Sequence, residues 1–132
     1  MKSKLLLTIA AFMAGVGVAL GAFAAHGLKA YLTPYLLSVF ETGVQYQSIH
    51  ALAILACGIL LRCRLGSKAQ KYFFIAAICF IIGVLCFSGS LYALALTGIK
   101  WFGPITPFGG VFFMLGWGVF GYAALNIQEV DQ

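Results

Sequence analysis

The sequence predicts an all-α polytopic membrane protein, with four transmembrane helices and a short amphipathic helix between the first two. Three observations carry this. Of 132 residues, 63% are hydrophobic and only 8% charged, whereas soluble domains carry about 25% charged residues. Four apolar stretches approach the roughly 20 residues that a helix needs to cross a hydrocarbon core of about 30 Å. The basic residues gather in short segments beside those stretches and not along them, as topology determinants do. The expected organisation is one integral membrane domain over 1–132.

The first span covers about residues 5–25. Lys2 and Lys4 followed by this run, with Ala22-Phe23-Ala24 near its end, could also be read as a cleavable leader. Leader cores are about 7–15 residues long, and Leu5–Ala25 is longer. Gly17, Gly21 and Ala25 also recur every four residues, and Ala11, Gly15 and Ala19 form a second such stripe. Small residues at this spacing let membrane helices approach closely. A discarded leader has no use for them, so the first span is expected to be retained.

The next segment, Ala30–Gly43, is amphipathic. Thr33-Pro34 reads as an N-cap followed by proline at the first helical position. A short interfacial helix should start there, able to run on into the next span with Gly43 as the hinge. The second span covers about 44–61, apolar in its second half but carrying Gln45, Gln47, Ser48 and His50 in its first. The third covers about 72–96, with Ser88-Gly89-Ser90 towards its far end. The fourth covers about 108–125, after Pro104 and Pro107 and before the polar tail Asn126–Gln132.

With four spans, Lys2, Lys4, Arg62, Arg64, Lys68 and Lys71 share one side, and Lys29 and Lys100 the other. The positive-inside rule then puts both termini in the cytoplasm; the membrane expected is the cytoplasmic (inner) one. A faint echo also links two outer exits. His26-Gly27-Leu28-Lys29-Ala30-Tyr31 and Thr97-Gly98-Ile99-Lys100-Trp101-Phe102 each precede a Thr-Pro pair. Two helix-pair halves would produce it.

Several function classes lose support here. The net charge of +5 has no basic face interleaved with exposed aromatics, so nucleic acid is not an expected partner. The lipid bilayer is, together with a second copy or another membrane protein. Cys57, Cys63, Cys79 and Cys86 form no C-x-x-C pair or Cys/His metal spacing, and no cofactor or metal is expected. No nucleophile elbow, zinc-helix motif or phosphate loop is present. Three acids in the chain leave little material for paired-carboxylate catalysis or ion-coupled transport.

The polar residues left near one face are His26, Glu41, Gln45, Gln47, His50, Ser88, Ser90, Tyr92 and Thr97. Ionisable groups at membrane depth are functional suspects, and His50, enclosed by Ile49 and Ala51–Leu61, is the best single candidate. An interhelical hydrogen bond to Ser88, Tyr92 or a backbone carbonyl is the alternative to proton handling, ligand contact or metal binding. Helical geometry, at about 100° per residue, puts Tyr46 one turn from His50 and Glu41 on the opposite face. A Glu41–His50 pair is therefore disfavoured.

Four ordered segments carry a resemblance. Gly21–Leu28, Thr42–Leu52, Phe87–Leu96 and Thr106–Gly110 resemble the signature segments of the small four-span membrane family that includes YgdD. That resemblance implies a four-helix fold in a membrane and no particular reaction. It points to His26, Tyr46, Gln47, His50, Ser90 and Tyr92, which match motif positions. Ala24 stands where the family motif more usually has glycine, and Glu41 matches no required acid. The expected function is non-enzymatic, that of a membrane accessory or structural protein. The alternative is a small channel or carrier for a neutral solute or protons, with His26 and His50 lining an outer vestibule. An enzyme acting on a lipid or quinone comes third.

Overall fold

The computed structural model describes residues 1–129; the last three positions of the polar tail lie outside the described residues. Helix α1 spans Lys2–Ala25, and a 3₁₀ turn, Leu28–Ala30, leads to α2, Pro34–Leu60. Helix α3, Ser67–Gly83, passes through a π-helical segment, Val84–Ser88, into α4, Gly89–Thr97. A second 3₁₀ turn, Lys100–Phe102, precedes α5, Ile105–Leu125. Four stretches are long and apolar enough to cross a membrane: Lys2–Ala25, Pro34–Leu60, Ser67–Thr97 and Lys100–Leu125. The described residues form no strand, and the all-α, four-span class predicted by the sequence holds.

The helices run past the apolar limits read from the sequence, because a backbone ladder continues wherever the chain stays helix-permissive. Thr33 caps α2 as expected, its hydroxyl accepting from the Leu36 N–H at 3.2 Å, with Pro34 in the first turn. That helix then runs without a break to Leu60. The expected interfacial helix is thus the opening of the second span, and Gly43 is not a hinge. Its role is close contact: a Cβ there would lie 2.7 Å from the Tyr92 ring.

Two helix pairs dominate the packing, α1 against α2 and α3 against α5, with α2 also touching α3 and α4. Both echo segments form 3₁₀ turns, Leu28–Ala30 and Lys100–Phe102, each leading into the second helix of its pair.

On α1, Ser3, Ala10, Gly17 and Ala24 are buried, a seven-residue repeat of the kind that keeps a seam facing its partner in left-handed packing. This corrects the four-residue stripe. Gly17 packs at the Ser48 hydroxyl (3.0 Å from a Cβ built there) and Gly21 at Val44, but Ala25 is exposed and Ala24 takes the next inward position. Seven residues return a helix almost to the same direction, whereas eight overshoot by about 80°. Ala11, Gly15 and Ala19 all face outward.

The end carrying Lys2, Arg62, Arg64, Lys68 and Lys71 is tied together by polar bonds. The Ser3 hydroxyl donates to the Gly58 carbonyl at 2.8 Å. The Gln70 amide donates to the Cys63 carbonyl at 2.8 Å, and the Gln128 N–H donates to the Leu65 carbonyl at 2.9 Å. All four cysteines are free thiols. At the opposite end Ala24, Leu28, Phe40 and Ala95 close a separate apolar cluster.

Candidate functional site

Where α2 meets α3 and α5, His50 is 3% exposed and sits in an aromatic cage. The Phe113 ring stacks on the imidazole, centroids 3.7 Å apart and planes within 9°. Phe80 lies 5.5 Å away, Trp117 5.9 Å, and Tyr46, one turn earlier on α2, stacks at 6.2 Å. Both ring nitrogens are used. Nδ1 is 2.8 Å from the Tyr46 carbonyl, and Nε2 is 3.1 Å from the Trp117 indole nitrogen.

Those partners assign the tautomer. A carbonyl can only accept and an indole N–H can only donate. Nδ1 therefore carries the hydrogen and Nε2 offers its lone pair to Trp117. An added proton on Nε2 would point at the indole N–H. In this arrangement His50 holds α2 against α5 and presents no free nitrogen to a solute.

A second network crosses three helices. The Gln47 amide nitrogen donates to the Met13 carbonyl of α1 at 2.8 Å, and its amide oxygen accepts from the Tyr92 hydroxyl of α4 at 2.7 Å. Tyr92 in turn packs on Phe40, ring centroids 4.9 Å apart. One turn of α2 away, the Ser88 hydroxyl donates to the Gly43 carbonyl at 2.7 Å. The π segment is what positions Ser88. Its wider turn shifts the helix face by one residue, and such segments often sit at functional positions.

A third link joins α4 to α5. The Ser90 hydroxyl lies 2.6 Å from the Thr106 hydroxyl and 2.9 Å from the Phe87 carbonyl. Among the described residues, no buried side-chain nitrogen or oxygen lacks a partner.

The structure thus gathers His50 with Tyr46, and Gln47 with Tyr92, but it does not join His26 to either group. His26 caps the exposed end of α1, its backbone N–H donating to the Ala22 carbonyl at 3.1 Å. Glu41 is exposed and stays apart from His50, as the helical geometry requires. His50 bonds neither Ser88 nor Tyr92. Its indole partner, Trp117, was not among the sequence candidates, nor was Thr106. One signal could have narrowed the search for Trp117: an indole N–H inside an apolar span needs an acceptor, and the second span offers few, Gln45, Gln47 and His50 among them. Among the described residues no three His, Cys, Asp or Glu side chains converge. A hollow of about 430 Å³ opens between Met13, Gln47 and Val84 with an almost wholly apolar lining; His50 does not line it.

Residues 20–110 match the family described as "Protein of unknown function (DUF423)". A UPF0382 membrane protein of Haemophilus influenzae is 40% identical over 130 residues, covering 98% of this chain and 100% of that protein. The UPF0382 inner membrane protein YgdD of Escherichia coli K12 is 34% identical over 129 residues, covering 98% and 95%. A UPF0382 membrane protein of Staphylococcus aureus is 41% identical over 114 residues, covering 86% and 89%. No solved structure matches.

Proposed function

The chain belongs to the DUF423 family and is an integral membrane protein, and from that premise we propose that it works without catalysis, as a small accessory or structural protein of the membrane. One observation supports this reading above the others: the polar side chains of the interior are used up in hydrogen bonds within and between the helices. His50 has both nitrogens committed, Gln47 both ends of its amide, and Ser88, Ser90 and Tyr92 their hydroxyls. Hydrogen bonds of this kind join membrane helices, where burying apolar surface gives little drive to associate. A catalytic group or a transport site needs an atom free to meet its substrate.

In this reading the bundle is a rigid body, and its outer faces act on the bilayer or on a neighbouring membrane protein. It lies in the inner membrane, as the name of YgdD states for that relative. Both termini are cytoplasmic, since six of the eight Lys and Arg residues stand at the end that holds α1's first turn and the loop before α3. Cys63, exposed in that loop, tests the orientation. A membrane-impermeant maleimide should label it only after cells are opened, and labelling in intact cells would reverse the topology.

The functional reading is tested with purified protein in liposomes. Proton flux and the flux of a panel of small neutral solutes should match those of empty vesicles. Protein-dependent flux that disappears in Trp117→Phe or His50→Ala would overturn the accessory role and make the aromatic cage a gate.

A further inference from the structure

At the basic end, the first turns of α1 and α3 leave a hollow of about 600 Å³ between them, within the range of small-ligand sites. Lys2, Ser67, Gln70 and Lys71 supply its polar wall, and Leu61 and Phe74 are among the apolar residues of the other. Lys2 Nζ stands 4.5 Å over the Phe74 ring, and Lys71 Nζ stands 5.7 Å from the centre of the Tyr72 ring. Neither ammonium has a carboxylate partner among the described residues. Helix α3 begins beside them after Gly66, so no side chain caps its opening N–H groups.

Two cations without carboxylate partners flank this amphipathic wall where two spans enter the bilayer: Lys2 over Phe74 within the hollow, and Lys71 at its rim, where the ammonium leans towards Tyr72 and would swing in to meet a ligand. Basic pockets between membrane helices at this depth suit phosphate head groups. We propose that this hollow binds the phosphate of an anionic phospholipid, with Lys2 and Lys71 as its counter-charges, the Ser67 hydroxyl as a donor, and acyl chains lying along the outer faces of α1 and α3. Phe74 and Leu61 continue the apolar surface on which those chains rest. The inference goes beyond the accessory reading and does not depend on it, because a channel or an enzyme could carry the same lipid.

The test counts lipids retained by purified protein from mixed micelles of equimolar phosphatidylglycerol and phosphatidylcholine, using native mass spectrometry. Wild type should favour phosphatidylglycerol. Replacing Lys2 and Lys71 by glutamine should lower that preference roughly fivefold per lysine. Lys2→Arg with Lys71→Arg should retain it, as should Lys100→Gln at the opposite end. Thermal unfolding of each variant separates lost binding from lost fold, and Lys71→Gln alone carries the test if the double variant unfolds. No preference in wild type, or an equal loss in Lys100→Gln, would overturn the site. Displacement of the lipid by millimolar inorganic phosphate or glycerol phosphate would instead assign the hollow to a soluble anion and overturn the lipid.

Discussion

The α1–α2 seam and the α3–α5 seam repeat with the same seven-residue period, yet they are sealed by different chemistry. Along α1–α2, Ser3, Ala10, Gly17 and Ala24 bring the backbones together, and side chains then bond across to carbonyls, Ser3 to Gly58 and Gln47 to Met13. Along α3–α5, Gly109, Gly116 and Ala123 are buried with Phe113 on α5, and Ala69, Phe73, Ala76, Phe80 and Gly83 on α3. Here glycines receive aromatic rings or, at one position, backbone: Gly116 takes the Phe80 ring, Gly83 the Phe113 ring, and Gly109 the backbone of Phe87. Lipid tails are as apolar as leucine, so neither seam gains much from leaving lipid; contact dispersion drives the second and hydrogen bonding adds to the first. A seam of rings in glycine notches should be intolerant of one added methyl. A polar seam should lose only the modest worth of its bonds.

The sharpest break of that contrast is Gly109→Ala. A Cβ there runs into the backbone of Phe87, in the π segment, so no side-chain rotation can relieve it and α5 must lift away. The expected loss is about 3 kcal/mol, the upper part of the overpacking range, read as a shift of the unfolding midpoint in a detergent titration. A near-neutral result would mean that the π segment yields easily and that the α3–α5 seam is no tighter than its counterpart. On the polar seam, Gln47→Leu keeps volume but removes the bonds to Met13 and Tyr92. In membrane proteins such bonds average about 0.6 kcal/mol each, so the loss should be about 1 kcal/mol in the same titration. Should Gln47→Leu cost as much as Gly109→Ala, the two seams would not differ in kind.

How far the sequence could anticipate this follows from the same geometry. Hydropathy placed four spans because each must satisfy the bilayer by itself, and Thr33-Pro34 marked the start of α2 because capping is local. The shared face of Tyr46 and His50 was also local, one turn of one helix. The partner of His50 was not, since Trp117 lies 67 residues away on α5, and periodicity says which face a residue occupies but not which helix meets it. Glycine carried the same ambiguity. Gly43 reads equally as a hinge or as a notch, and only the Tyr92 ring against it decides. The π segment left no mark in the sequence, because residues 73–87 are apolar on every face and a one-residue shift only exchanges one apolar side chain for another.

The smallest expected effect separates inward small residues from outward ones. Gly15 shares α1 with Gly17, two positions away, yet a Cβ at Gly15 would meet nothing within 4 Å, whereas one at Gly17 would lie 3.0 Å from the Ser48 hydroxyl. Alanine is a better helix former than glycine, and substitutions away from packed features usually stay within about 0.5 kcal/mol. Gly15→Ala should therefore leave the unfolding midpoint unchanged or slightly raised. A loss comparable to that of Gln47→Leu would show that Ala11, Gly15 and Ala19 have a packing partner after all. The division of α1 into a sealed seam and a face left to lipid would then fail, since both faces would be interfaces.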